Sequence, residues 1–221
     1  MTSRRILRAN VRKRFEALEG GAGRSVYRDG EARFELESEI VTVRPPFGLA
    51  HEGEYELVHV APLLTALAQD RLVGALLVRL GGYAVGVFDG ESLVASKVGS
   101  RNVHGRHRKG GSSANRFRRR REEQARELVN AAADTAVRVL SPHLDELDAA
   151  ALGGDRLALR KTLAARPELA PLEQLALPRS FAVPEPRRDV LERVIHDVYA
   201  AEVVTEPRSA KMPDTQTRRR D

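Results

Sequence analysis

Residues 102 to 124 read NVHGRHRKGGSSANRFRRRREEQ, and the chemistry of this segment centres on its two adjacent glycines. Gly110 and Gly111 admit φ > 0 and leave backbone N–H groups unshielded by side chains. Ser112 or Ser113 is placed to cap the helix that the next residues predict. The free N–H groups and positive dipole end of that helix then face the loop tip, where a negative group or a developing oxyanion is stabilised. Around the tip lie Arg101, Arg106, Arg108, Lys109, Arg116, Arg118, Arg119, Arg120 and Arg121, with no Asp or Glu among them. A connection this cationic and this poor in side chains calls for a polyanionic partner.

Other chemistries fit less well. His104 and His107 have an HxxH spacing, but the loop has no carboxylate and the chain no cysteine, so no metal is expected. His107 reads instead as an RNA-contacting or loop-shaping residue. Asp89 could serve a nuclease only if several carboxylates converged on two ions, and Asp89-Gly90 is more simply a hairpin turn. Ser112 as a covalent nucleophile needs a general base held by a third group, and none is evident. No organic cofactor is expected either.

Charge over the whole chain agrees with an anionic partner. The 221 residues carry a net charge of +6, with a sequence pI near 10.0. The excess gathers in the N-terminal RRILRANVRKRF, in the loop and in the terminal RRR. Such clusters favour nucleic acid, because neutralised phosphates release condensed counterions; an anionic membrane surface is the competing partner. Beyond the loop, the N-terminal helix and the tail read as solvated or auxiliary RNA contacts. No apolar run approaches the roughly 18 residues of a membrane span, and Arg4, Arg5 and Arg8 precede no signal-peptide core. With no cysteine, the chain is expected to be cytoplasmic.

The elements that must position the loop follow from periodicity. Leu7, Val11, Phe15 and Leu18 predict an N-terminal basic helix ended by GGAG. ARFELESEIVTVRPPF and YELVHV alternate as strands, PLLTALAQD is helical, and RLVGALLVRLGGYAVGVFDGESLVASKVGS holds two or three strands. A long helix is predicted from about Ala114 to Leu140, with Phe117, Arg121, Ala125, Leu128, Ala132, Ala136 and Leu140 at i+3 and i+4 spacing, and is stopped by Ser141-Pro142. LDAAALGGD reads as a buried strand before a helix from Asp155, and LPRSFAV as an edge strand. A final helix carries Val190, Leu191, Val194, Val198 and Val203 as its buried stripe. The pattern is α/β, a mixed β-sheet flanked by helices. We place an N-terminal helix and linker at 1–23, one domain at 24–205 and a disordered basic tail at 206–221.

GGSSANRF, with RHRK before it and a basic, Glu-rich helix after it, resembles the GGQ loop of eukaryotic and archaeal class 1 peptide release factors. Their pattern reads GGQSAxRF behind a basic segment containing a histidine. Gly110, Gly111, Ser113, Ala114, Arg116 and Phe117 match it, as does His107 upstream. The chain is also similar to the Vms-one-like ribosome-rescue release factors, including their actinobacterial branch. Only the catalytic middle domain of the release factors is resembled, with strand order agreeing loosely over roughly residues 30 to 204.

The resemblance implies a ribonuclease H-like fold and codon-independent hydrolysis of the ester between nascent peptide and tRNA. Partners would be the large ribosomal subunit with its rRNA, and peptidyl-tRNA. Neither metal nor cofactor is required, and no membrane or DNA partner is implied; we expect a monomer. Gly110, Gly111, Ser112 and Ser113 take the catalytic positions. Arg101, Arg106, His107, Arg108, Lys109, Arg116, Arg118, Arg119 and Arg120 take the RNA contacts. Ser112 stands where the family has glutamine. It keeps the backbone N–H but cannot fill the same space or orient water identically. A non-catalytic ribosome or RNA binder that retains the fold is therefore the alternative.

Overall fold

Val73 to Val78 are all buried, so the strand they form must be covered on both faces. The computed structural model describes residues 1–100 and 113–208 and shows how this is done. The chain forms two compact units, Met1–Ala68 with the segment from Ala200 onward, and Gln69–Tyr199.

In the second unit, β6 (Leu72–Arg79), β7 (Gly82–Asp89) and β8 (Ser92–Ser100) form an antiparallel meander. β9 (Ala149–Gly154) then pairs parallel to β6, giving the order β8-β7-β6-β9. Two parallel bridges, Ala150 to Ala176 and Gly153 to Phe181, extend this edge. Three antiparallel strands followed by parallel additions make the ribonuclease H-like sheet that the resemblance implied. LPRSFAV contributes one of those bridges rather than a full edge strand.

One face of this sheet is covered by α3 (Ser113–Leu140) and α4 (Arg156–Ala164), with the short α5 (Pro171–Gln174) adding Leu172 to the same core. Leu76, Val78, Val85 and Val87 meet Leu140 and the small residues Ala132, Ala133 and Ala136, which let α3 lie close. The opposite face is packed by α6 (Arg188–Val198), whose Leu191 lies over Gly86. The Tyr199 hydroxyl accepts from Arg71 N at 2.9 Å and donates to Arg71 O at 3.1 Å, tying the end of α6 to the start of β6.

The first unit is built on a six-stranded antiparallel sheet. Its strands are β1 (Thr2–Ile6), β2 (Arg24–Arg28), β3 (Glu31–Glu35), β4 (Glu39–Arg44), β5 (Gly53–Tyr55) and β10 (Ala201–Pro207), in the order β1-β10-β4-β3-β2-β5. α1 (Arg8–Glu16) and α2 (Ala61–Ala68) cover one face, burying Val11, Phe15, Leu63 and Leu67 against Tyr27, Phe34, Val41, Val43 and Val203. The other face is a charge ladder in which Arg44 pairs with Glu31 and Glu202, Arg24 and Arg28 with Glu54, and Arg33 with Glu35. Exposed pairs of this kind add little stability, but they leave that face electrically balanced.

Several elements depart from the sequence reading. The compact units are bounded at 68/69 and 199/200, and α1 completes the core over the six-stranded sheet. Val203 belongs not to the last helix but to β10, which pairs with β4 through Val203 to Val43 and with β1 through Val203 to Arg4. Glu206 and Pro207 are part of that strand, and the tail from 209 onward lies outside the described residues. In YELVHV only Tyr55 is strand. Val58 and Val60 are buried beyond it, and His59 N bonds instead to the buried Ser25 Oγ at 2.9 Å.

Candidate functional site

The predicted loop joins the end of β8 at Ser100 to the start of α3 at Ser113. Arg101, Arg106, His107, Arg108, Lys109, Gly110, Gly111 and Ser112 lie outside the described residues. What the structure describes is the frame on either side.

On the strand side, the root of the loop is fixed by packing at Gly99. A Cβ there would run into the Tyr83 ring, so glycine lets the tyrosine lie flat across the end of β8. The Tyr83 hydroxyl accepts from Thr135 Oγ1 of α3 at 3.1 Å, with Thr135 itself buried. One aromatic side chain of β7 thus links the end of β8 to the C-terminal part of α3.

On the helix side, α3 is long: 28 residues span about 42 Å. Among its described side chains the helix is fully buried only from Leu128 onward, at Leu128, Ala132, Ala133, Thr135, Ala136 and Leu140. Asp134 anchors it further, accepting from Arg166 Nε at 2.8 Å. The residues before Leu128 amount to roughly 22 Å of helix. In this half Arg116, Arg118, Arg119 and Arg120 are exposed, and Arg121, Gln124 and Ala125 half-buried. The expected core stripe through Arg121 and Ala125 is therefore only partly covered.

The electrostatics of this end are unusual. The first turn of α3 has no acidic residue, and five arginines follow within residues 116 to 121. Positive charge at the positive end of a helix dipole opposes helix formation, typically by about 0.3–1 kcal/mol per charge at low salt. The other helices of this unit have the usual sign: Asp155 caps α4 by accepting from Ala158 N at 2.8 Å, and α6 has Asp189 in its first turn. In the exposed half of α3, Arg118 reaches Glu122 only at 3.9 Å, with both side chains mostly in solvent. The result is a projecting helix whose N-terminal side chains carry uncompensated positive charge toward the loop.

A cleft of about 510 Å³ lies where the exposed half of α3 meets α4 and the β6–β7 turn. Its floor is apolar, from Leu80, Ala125, Leu128, Val129 and Leu157, and among the described residues its lining has no Ser, Thr, Tyr or His. In the first unit, His51 Nε2 meets Tyr55 Oη at 2.9 Å and His59 Nδ1 meets Glu19 Oε1 at 3.0 Å. The buried Tyr27 hydroxyl donates to His59 O, and burial pushes that phenol well above its ordinary range. These contacts close the segment between β5 and α2. Periodicity alone gives no sign of either contact set. Among the described residues, no group of three His, Asp or Glu could hold a metal, and no helix is long and apolar enough to cross a membrane.

Similarity to known proteins bears on this frame. No curated protein matches the chain by sequence. Among solved structures, the chain is similar to the archaeal translation termination factor aRF1, at 15% identity and TM-score 0.44, over 73% of this chain and 49% of that one. It is also similar to the Vms1 mitochondrial localization core, at 10% identity and TM-score 0.41, over 88% and 80%. Dom34 of S. cerevisiae, a translation termination-like factor involved in RNA quality control pathways, matches at 8% identity and TM-score 0.31, over 87% and 62%. The chain spans about half the length of the archaeal factor. A family model described as Actinobacteria/chloroflexi VLRF1 release factor matches residues 71–204, more than half of the chain, and the chain belongs to that release-factor family.

Proposed function

We propose that the protein is a codon-independent peptidyl-tRNA hydrolase that acts on stalled ribosomes. The observation that carries this reading is the acid-free, arginine-rich start of α3, which follows Gly110-Gly111 in the sequence of a chain that belongs to a release-factor family. A helix end charged against its own dipole is useful when an anion neutralises it, and rRNA is the densest anion available to a release factor. In this reading Arg101, Arg106, His107, Arg108, Lys109, Arg116, Arg118, Arg119 and Arg120 contact RNA, and the exposed half of α3 carries the loop toward the tRNA 3′ end.

The chemistry asked of the loop is modest. Water attacks the ester carbonyl carbon, the bond to the tRNA ribose oxygen breaks, and that oxygen leaves with a proton. Gly110 and Gly111 let the backbone approach the carbonyl closely, and the N–H of Ser112 donates to the oxyanion. Ser113 sits at the helix start behind it. The ordinary contribution of one such donor is about a hundredfold or more in rate.

Ser112 in place of glutamine is the specific observation that favours a second reading, a ribosome or RNA binder without turnover. Ser112→Gln separates the two when peptide release from stalled ribosome complexes is measured. Release by the parent protein supports hydrolysis. A silent parent that gains release on Ser112→Gln supports the non-catalytic reading and sinks the first.

A further inference from the structure

The unit formed by residues 1–68 and β10 lies almost wholly outside the 71–204 family match, and nothing in the hydrolase reading gives it a task. Residues 1–68 contain ten Lys or Arg and ten Asp or Glu, so they are neutral in sum. The charges are not mixed evenly. Arg4, Arg5, Arg8, Arg12, Lys13 and Arg14 all precede the first carboxylate, Glu16, and all ten carboxylates follow residue 15. The six cations fall on β1 and α1, and of the ten acids only Glu16, the last residue of α1, lies on either element.

The fold keeps that separation. β1 is one of the two outer strands of the six-stranded sheet, the other being β5. Arg4 is opposite Val203, on the core side, and Arg5 is opposite Glu202, on the ladder side, so two exposed arginines straddle the edge. Arg8 and Arg12 follow on α1 at i, i+4 spacing, side by side on one helix face. Arg12 has Glu16 as a partner and Arg14 has Glu39, but Arg4, Arg5 and Lys13 make no ion pair among the described residues. The ladder face shows that this sequence can pair its charges where the sheet permits it. On β1 and α1 it leaves three unpaired.

We propose that the β1–α1 strip is a second RNA-contacting surface, gripping phosphates through Arg4, Arg5 and Lys13 independently of the α3 end. The partner class, RNA, rests on the release-factor reading. A membrane fits less well, because the apolar residues of α1, Val11 and Phe15, are fully buried in the core, so the helix has no apolar face to insert. Five of the six cations are arginine, whose planar fork suits phosphate.

The test is the salt dependence of binding of the full chain to a single-stranded RNA oligonucleotide, followed by fluorescence anisotropy from about 50 to about 200 mM salt. Each phosphate contact contributes about 0.7 to the slope of log K against log salt, so Arg4→Ala/Arg5→Ala/Lys13→Ala lowers the slope by roughly 2. The three side chains are exposed, so the circular dichroism spectrum stays that of the parent. Arg118→Ala/Arg119→Ala/Arg120→Ala lowers the slope separately, and the two sets add. An unchanged slope in the N-terminal variant, with a reduced one in the α3 variant, overturns this inference and leaves the hydrolase reading intact. No salt-dependent binding by the parent sinks the RNA reading of both surfaces. Anionic phosphatidylserine vesicles form the second arm. Sedimentation with vesicles that needs Arg4, Arg5 and Lys13, with RNA binding independent of them, reassigns the strip to membranes and overturns the inference.

Discussion

If positive charge at the start of α3 serves an anionic partner, reversing it should stabilise the helix while weakening the partner's binding. Arg116→Glu is the sharpest perturbation, because Arg116 is exposed and ends the first turn. The change replaces an unfavourable charge–dipole interaction by a favourable one, about 0.3–1 kcal/mol. It also removes Arg116's repulsion of Arg119 and Arg120 at i+3 and i+4 and substitutes attractive pairs in the better orientation, each about 0.2–0.5 kcal/mol. The sum is about 1 kcal/mol at low salt, a fivefold increase in amide exchange protection if the exposed half opens locally. Hydrogen exchange of residues 117 to 127 in the full chain reads this directly, and RNA affinity is measured on the same variant. The account predicts slower exchange together with weaker RNA binding. Faster exchange, or unchanged RNA affinity, refutes the claim that helix stability is given up here for an anion.

Further outcomes follow from the frame. Gly99→Ala drives a Cβ into the Tyr83 ring and costs about 1–3 kcal/mol in urea unfolding; in a Tyr83→Ala background the same change costs under about 0.5 kcal/mol, a coupling that a double-mutant cycle measures. At Gly154, φ is +101° and a Cβ would strike the Val78 carbonyl, so Gly154→Ala separates β9 from β6 and abolishes cooperative unfolding of that unit by circular dichroism. Burial raises the pKa of Glu19, but hydrogen bonds from His59, Val60 and Ala61 and the His59 charge outweigh it, and the net pKa is below the ordinary value. Because the folded-state pKa is the lower one, its stabilisation is complete above about pH 4.3 and is lost as pH falls through the depressed value. The advantage of the parent over Glu19→Gln in urea midpoint should therefore shrink on acidification below about pH 4.

Much of the second unit was legible because its signals are local. Asp89-Gly90 marked the β7–β8 hairpin, Pro142 stopped α3, and the apolar run before Gly153-Gly154 marked β9. The first unit was harder to read because its sheet closes between residues far apart in sequence. β1 and β10 pair across almost the whole chain, and Val203 lies just beyond the apolar stripe of α6, which disguises a strand as helix. β2 went unread, since RSVYR is short and follows a glycine-rich stop. In the candidate site, charge and glycines were visible in the sequence, but the exposure of the first half of α3 was not. Arg121 and Ala125 continue the spacing of the core residues, and only the packing shows that, among the described side chains of α3, full burial begins at Leu128. The Tyr83–Thr135 contact over Gly99 has no sequence signature at all, because it joins three elements at one point.

The most direct measurement is the single-turnover rate of peptide release from purified stalled ribosome complexes, comparing the parent with Gly110→Ala/Gly111→Ala. The variant keeps every charge, so binding should persist while the loop backbone is misplaced. A displacement of about 1 Å costs on the order of a hundredfold in rate. The account predicts release by the parent and a loss of that size in the variant. Equal release by both proteins would contradict it, and would place the chemistry elsewhere than in the Gly110-Gly111 loop.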